Sequence, residues 1–520
     1  MGFFRRGFWQ KLIIYLTVIL EFVLFVLAVV AIVNGYLNTD AAVWTVVILW
    51  AINFVCGIVI VQTNAEDSYK IAWLFIVGML PIIGPLMYLV LAHKYRSLRQ
   101  KKYFSDYFGI IRRGEQDEAV IQKAEAISFG AIRTANYLRK ATDSVLYDHS
   151  AVTYYPFGDD MFQPMLEDLR KAKHFIFIEY FIITPGKMWD SILEILKRKA
   201  KEGVDVRVIW DDIGNVQSTP VLYDKELKKL GIKAHVYGRV KPFIDVRYSQ
   251  RDHRKIMVID GHTAYTGGAN IADEYINVKS RFGVWKDNAI RVVGKAVYGY
   301  TLLFLATWHC KFDRKGEIDY NDYKPEKYID EIGGFPISND LVLPYGDIPY
   351  GDHPAGEGTY LSILGSAKHY VYMTSPYLIP TGKLIAQMIQ ASMSGVDVRL
   401  ITPGIPDKKL VYELTRFNYG RLLKEGVRIF EFSEGFIHAK TFLSDDTLAT
   451  VGTINLDYRS LYLHSENGTL LLGKNIVAPM KEDFEKTLNR CHEVTLEEWK
   501  KWRRKKGILW GFLRLIAPFL

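Results

Sequence analysis

The stretch Asp252–Gly261, "DHRKIMVIDG", sets His253, Lys255 and Asp260 in an H-x-K-x4-D spacing, and "YTGGAN" (Tyr265–Asn270) follows it. The run Ile256–Ile259 is apolar and reads as a buried strand. Side chains two apart on a strand point to the same face, so His253 and Lys255 stand together. A buried strand does not normally carry a histidine and a lysine on one face. Alone, the spacing is a weak signal, because single histidines of this kind are more often surface or satisfied core residues.

The rest of the chain changes that weight. "KAKHFIFIEYFI" (Lys171–Ile182) is similar to "SAKHYVYMTSPYLI" (Ser366–Ile379), and "AKEGVDVRVI" (Ala200–Ile209) to "SMSGVDVRLI" (Ser392–Ile401). "KKLGIKAHVY" (Lys228–Tyr237) is similar to "LLKEGVRIFEF" (Leu422–Phe432), in the same order. Each pair reads as a helix running into a strand, so the chain holds an internal repeat of α/β type. The repeat predicts a second copy of the opening stretch, and "FIHAKTFLSDD" (Phe436–Asp446) supplies His438, Lys440 and Asp445 in the same spacing. "TVGTIN" then puts Gly452, Thr453 and Asn455 opposite Gly267, Gly268 and Asn270. Further on, "DNAIRVVG" (Asp287–Gly294) aligns with "ENGTLLLG" (Glu466–Gly473).

Two such copies across a pseudo-two-fold give two histidines, two lysines and two asparagines around one cleft. That set suits two-step phosphoryl transfer. One histidine attacks phosphorus, and the other gives a proton to the leaving alcohol and takes one from the incoming alcohol. Lys255, Lys440, Asn270 and Asn455 stabilise charge on phosphate oxygens, with Gly267, Gly268 and Thr453 supporting them. Asp287 and Glu466 each suit holding a histidine's second ring nitrogen. Asp260 and Asp445 count with the catalytic motif, in a supporting part on the opposite strand face or in the following turn. His174, His262 and His369 receive no role. No metal and no cofactor is expected.

Composition bounds the setting. At 520 residues with a formal charge of +9, the chain is too long for one core and suits an anionic partner. The three cysteines are far apart, which argues against a disulfide framework. Three apolar segments, Leu12–Val33, Ala41–Val61 and Ile71–Ala92, are each long enough to cross a hydrocarbon layer of about 30 Å. Pro81, Gly84 and Pro85 predict that the third is kinked or re-entrant. The basic run after it, "HKYRSLRQKKYFSDYFGIIRR", predicts a cytoplasmic catalytic region. Membrane anchoring argues against nucleic acid as partner and for anionic lipid. The expected division is a membrane domain over 1–100, a basic linker over 101–141, repeat halves over 142–335 and 336–490, and a basic amphipathic tail over 491–520. The tail reads as an interfacial helix, with a helix docked on the catalytic region as the other reading.

The two motifs, together with "FGVWKDNAIRVVG", "TSPYLIP", "NLDYRS" and the membrane stretch "AWLFIVGMLPIIGPLMYLV", resemble the phospholipase D superfamily. The whole layout is similar to the cardiolipin synthase family of bacteria. The resemblance implies two phospholipase D-like α/β/α sandwich halves related by pseudo-two-fold symmetry, preceded by transmembrane helices in the bacterial cell membrane. It implies a phosphatidyltransferase that joins two phosphatidylglycerols into cardiolipin and glycerol through a phosphatidyl-histidine. The family's nucleophile maps onto His253 and its general acid/base onto His438. Thr453 departs from the serine frequent at its position in the superfamily. The motifs alone leave open a phospholipase D-type hydrolase, or a transferase using another phospholipid donor.

Overall fold

The computed structural model describes residues 39–92 and 98–519, apart from 217, 221, 241–249, 315, 350 and 352. The segment Leu12–Val33 lies outside the described residues. The chain divides into two units, a large one over 96–239 and 250–510 and a smaller one that includes the described residues before 96 and after 510.

In the large unit the repeat is visible as two sheets of matching order. The first half contributes β1 (Ser150–Tyr155), β2 (Phe175–Tyr180), β3 (Asp205–Asp211), β4 (Lys233–Tyr237), β5 (Lys255–Ile259), β6 (Thr263–Gly267), β7 (Val284–Lys286) and β8 (Ala289–Gly294). The second contributes β9 (Leu341–Asp347), β10 (Tyr370–Thr374), β11 (Asp397–Pro403), β12 (Arg428–Phe432), β13 (Gly435–Ile437), β14 (Thr441–Ser444), β15 (Leu448–Gly452), β16 (Glu466–Leu472) and β17 (Cys491–Glu493). The first sheet runs β1-β8-β6-β5-β2-β3-β4, and the second runs β9-β16-β15-β14-β10-β11-β12-β17. In each, a parallel trio (β2-β3-β4, β10-β11-β12) meets an antiparallel set. The inner strands read as unbroken apolar runs because helices cover both faces. Helix Val297–Lys311 is apolar all round and almost wholly buried, in a core that takes residues from both sheets.

β5 pairs antiparallel with β2, so His253, just before β5, lies at the carboxyl end of β2. β14 pairs with β10 in the same sense, which carries His438 to the carboxyl end of β10. In open α/β sheets this is the end where ligands bind.

Residues 101–141 are not a linker. Helices Leu98–Ile111, Glu118–Ile127 and Phe129–Thr142 place Tyr107, Ile110, Val120, Ala131 and Leu138 in the two cores. Their basic residues lie on the outer faces of amphipathic helices, and a charge count along the sequence hid the apolar stripe. The tail docks in its first part: in helix Leu496–Ile516, Trp510 is buried and its indole N–H donates to Glu413 at 2.9 Å, while Trp499 donates to the Arg416 carbonyl at 2.8 Å.

In the smaller unit, helix Thr39–Gln62 contains one window, Val43–Gln62, long and apolar enough to cross a membrane. The third apolar segment is not one spanning helix. It forms helix Asp67–Met79, breaks, and resumes at Ile83–Met87 with a π turn over Tyr88–Ala92. The break falls where Pro81 lacks an N–H. The carbonyl of Pro81 accepts from the Asn53 side chain at 2.9 Å, which satisfies a backbone group the break exposes.

Candidate active site

The site forms where each half lends an acid to the other's histidine. β13 and β7 pair in parallel across the halves, with Ile437 opposite Lys286. The next residues on the two strands are His438 and Asp287, so the pairing sets them side by side, and the His438 N–H donates to the Lys286 carbonyl at 2.7 Å. An isolated parallel bridge, Asp252 with Ser465, does the same for His253 and Glu466, and the His253 N–H donates to the Ser465 carbonyl at 2.8 Å. Consequently His253 Nδ1 lies 2.8 Å from Glu466 and His438 Nδ1 lies 2.6 Å from Asp287. Both acids are fully buried. A carboxylate only accepts, so each imidazole holds its proton on Nδ1 and presents Nε2 as a lone pair.

Lys255 and Lys440 stand on the same strand faces, and each ammonium donates to the carbonyl of the histidine two residues before it. Burial pushes Lys255 down to about 7 and Lys440 to about 8. Burial, then the Lys255 charge, holds His253 well below the ordinary histidine range. Burial and the Lys440 charge hold His438 near 4 against the opposing pull of Asp287. Both rings are therefore neutral, and each feels the other half's lysine. The two histidines and two lysines form one electrostatic cluster with Asp287 and Glu466.

The remaining expected residues divide. Asn455 follows β15, and its side-chain oxygen is buried and without a hydrogen-bond partner among the described residues. Asn270 is engaged by the protein, accepting from the Ile182 N–H at 3.0 Å and donating to the Tyr275 hydroxyl at 2.7 Å. A side chain at Gly268 would collide with the Asp287 carboxylate, so the glycine permits that approach. Thr453 stands at the matching position in the second half, and its hydroxyl donates to Glu466. Gly267 lies against the Asn288 carbonyl, and any Cβ there would collide with it.

Asp260 and Asp445 are not in the reacting cluster. Asp260 accepts the N–H groups of Lys173, His174 and Phe175 at 2.7, 2.8 and 2.8 Å. Asp445 accepts those of Lys368, His369 and Tyr370 at 2.7, 2.9 and 3.1 Å. Both have left-handed backbones, with φ of 49° and 51°, which aspartate tolerates. The strand separates each from its histidine: the motif's last residue caps the start of the neighbouring strand at the far end of the sheet.

Several residues that hold the cluster in place carry no signal in the H-x-K spacing. Ser460 donates to Glu466 at 2.6 Å. Asn467 accepts from the Lys255 N–H at 3.0 Å and donates to Thr266 at 2.8 Å, while Asn288 donates to Thr441 at 2.6 Å. Thr266 follows the first motif and Thr441 lies inside the second, and the recurring acid–asparagine pair is the signal for these asparagines. Arg254, the middle of "HRK", points away from the site and joins the Tyr107 hydroxyl, Thr307 and the Glu466 carbonyl at 2.9, 2.6 and 3.3 Å. His464 lies beside His253, ring centres 5.6 Å apart.

Residues 165–290 and 360–488 match the family model described as "Cardiolipin synthase, PLD-like domain", and residues 51–92 match the one described as "Phospholipase D-nuclease N-terminal". Cardiolipin synthase 2 of Bacillus anthracis is 31% identical over 90% of this chain and 90% of its own length. Cardiolipin synthase of Listeria welshimeri is 31% identical over 92% and 99%. A protein of Streptococcus mutans described as uncharacterized is 37% identical over 89% and 98%. Among solved structures, phosphatidylserine synthase of Haemophilus influenzae superposes with a TM-score of 0.54 at 14% identity, over 75% of this chain and 99% of its own, which speaks for the fold alone.

Proposed function

The chain belongs to the cardiolipin synthase family of phospholipase D-like proteins, and from that membership we propose a membrane phosphatidyltransferase that joins two phosphatidylglycerols into cardiolipin and glycerol. The observation that carries the reading is the crossed pairing of His253 with Glu466 and His438 with Asp287. It leaves two Nε2 lone pairs and two buried ammonium groups for one phosphodiester.

The lone pair of His253 Nε2 bonds to phosphorus as the bond from phosphorus to the headgroup glycerol oxygen breaks. His438 delivers a proton to that oxygen, and glycerol leaves. His438 is held near 4 by burial and Lys440. A bound phosphate opposes the lysine charges, so its proton affinity rises as substrate enters. The terminal hydroxyl of a second phosphatidylglycerol then gives its proton to His438 and displaces His253, forming cardiolipin. Lys255, Lys440 and Asn455 stabilise the nonbridging oxygens. The helix over Val43–Gln62 anchors the enzyme in the lipid that holds its substrate. We assign it to the bacterial cell membrane as a multi-pass protein, with the catalytic region on the cytoplasmic side beside the basic run after residue 92.

The test is the purified full-length chain in vesicles with headgroup-labelled phosphatidylglycerol and no added metal. The expected products are cardiolipin and free glycerol in equal amounts. Phosphatidic acid with glycerol and no cardiolipin would make the protein a hydrolase and refute the transfer.

A further inference from the structure

The transfer proposed above brings two phosphodiesters to one site. One reacts between the histidines. The other belongs to the acceptor lipid and stays intact, joined to the attacking oxygen by three carbons. The lysine pair is occupied by the reacting phosphate, so the acceptor's anion needs its own cation.

The two halves differ in charge at one matched position. Four residues past Asn270 is Glu274, and four past Asn455 is Arg459. Glu274 is spoken for by Lys279 at 3.6 Å. Arg459 is only partly exposed, yet among the described residues its guanidinium has no hydrogen bond or ion pair. The short helix Tyr458–Tyr462 fixes its backbone next to Ser460, which holds Glu466, and the Arg459 carbonyl accepts the His464 N–H at 3.0 Å. His464 in turn touches His253. Arg459 therefore stands beside the residues that hold the reacting cluster, and its charge reaches His464. Burial pulls it below the ordinary arginine range, the Asp457 and Asp211 charges opposing that pull and the Arg251 charge adding to it. Lys408 is exposed, with its ammonium 5.3 Å from the Tyr377 ring, and its charge reaches both His253 and Asp457, the cap of the Arg459 helix. The nearby acids have other work: Asp457 caps Ser460, and Asp211 accepts from Ile213 and Asp252.

We propose that Arg459, with Lys408, seats the intact headgroup phosphate of the acceptor phospholipid. A half-buried guanidinium without a partner is costly unless an anion arrives to pair with it, and arginine meets a phosphate in bidentate fashion. The feature occurs in one half only. That is what an acceptor subsite requires, because the reacting phosphate is served by both halves while the acceptor's phosphate appears once. The inference rests on the transferase reading and makes the site selective for an anionic acceptor alcohol over a neutral one.

The experiment separates the acceptors. The full-length protein and its Arg459→Gln, Arg459→Lys and Lys408→Gln variants are assayed in vesicles for two reactions: cardiolipin formation against phosphatidylglycerol concentration, and exchange of labelled free glycerol into phosphatidylglycerol. Exchange uses the same donor, histidines and covalent step with a neutral acceptor. Arg459→Gln is expected to lower cardiolipin formation about 10- to 100-fold at limiting lipid, the worth of a charged hydrogen bond, with exchange kept within about 3-fold. Arg459→Lys should recover part of the loss, and Lys408→Gln should show a smaller loss of the same kind. Parallel loss of both reactions in both Arg459 variants overturns the proposal in favour of a structural role. Unchanged cardiolipin formation in Arg459→Gln overturns it as well. A wild type that performs neither reaction refutes the transferase reading itself.

Discussion

Glu466→Gln changes one atom in a buried, fully determined place. The wild-type carboxylate accepts from His253 Nδ1 at 2.8 Å, from Ser460 at 2.6 Å and from Thr453. The amide has the same shape but one oxygen and one NH2. The two hydroxyls can rotate to accept, so the packing survives. His253 faces a choice: keep its proton against the amide oxygen, or accept from the NH2 and move the proton to Nε2. The second form cannot attack phosphorus. Either form loses the charge that balances the cationic phosphatidyl-imidazole. The same carboxylate-to-amide exchange beside the histidine of a serine protease costs about 10⁴ in kcat. We expect a fall of about 10³–10⁴ in kcat here, with a melting temperature within a few degrees of wild type. The assay is the initial rate of cardiolipin formation at saturating phosphatidylglycerol, with melting followed in the same detergent. A rate within about 10-fold of wild type, in protein that melts normally, would refute the role given to Glu466.

Three further outcomes follow from the geometry. Burial holds Lys255 near 7 and Lys440 near 8, and the proposed mechanism uses them as cations, so their contribution is present below those values and lost above them. The kcat/KM profile should therefore fall as pH rises through about 7–8, while kcat, measured with phosphate bound, falls later. Asp260→Asn should leave specific activity within about 2-fold and lower stability by about 1–3 kcal/mol, because one of three N–H donors loses its acceptor; thermal melting beside the rate checks this. Trp510→Ala empties a buried site and removes the indole donor to Glu413, which keeps Lys506, so about 3–5 kcal/mol of stability should go, read from denaturant unfolding of the large unit with lipid-free detergent.

What was legible in the sequence was what repeats with a fixed period. His253 with Lys255, and His438 with Lys440, follow from the two-residue period of a strand. The in-register copies of Phe175–Tyr180 and Tyr370–Thr374 make the two-halved α/β architecture readable from the sequence. What was not legible depends on contacts between distant segments. Nothing in the local pattern says that Glu466 serves His253 while Asp287 serves His438; that follows from β13 pairing with β7 and Asp252 bridging to Ser465. The motif's final aspartates, grouped with the catalytic residues by spacing, are strand caps because a left-handed turn carries them to the far end of the sheet. The helices over 98–142 read as a basic linker because their apolar stripes, Tyr107 and Leu138 among them, are masked by lysines and arginines on the solvent face. Asn270 looked equivalent to Asn455, yet Tyr275 takes its amide where the second half has Ser460.

The central claim is a covalent phosphatidyl-histidine formed on one of two unequal histidines. It is tested most directly by intact-protein mass spectrometry of His253→Ala and His438→Ala after incubation with an activated phosphatidyl ester, whose leaving group needs little acid help. General acid assistance is worth about 10²–10⁴-fold, and such a substrate bypasses most of it. The account predicts that His438→Ala gains the mass of one phosphatidyl group and turns over poorly, whereas His253→Ala gains none. An adduct on His253→Ala with none on His438→Ala would reverse the two roles, and no adduct on either, with inversion at phosphorus in the wild-type reaction, would contradict the covalent mechanism.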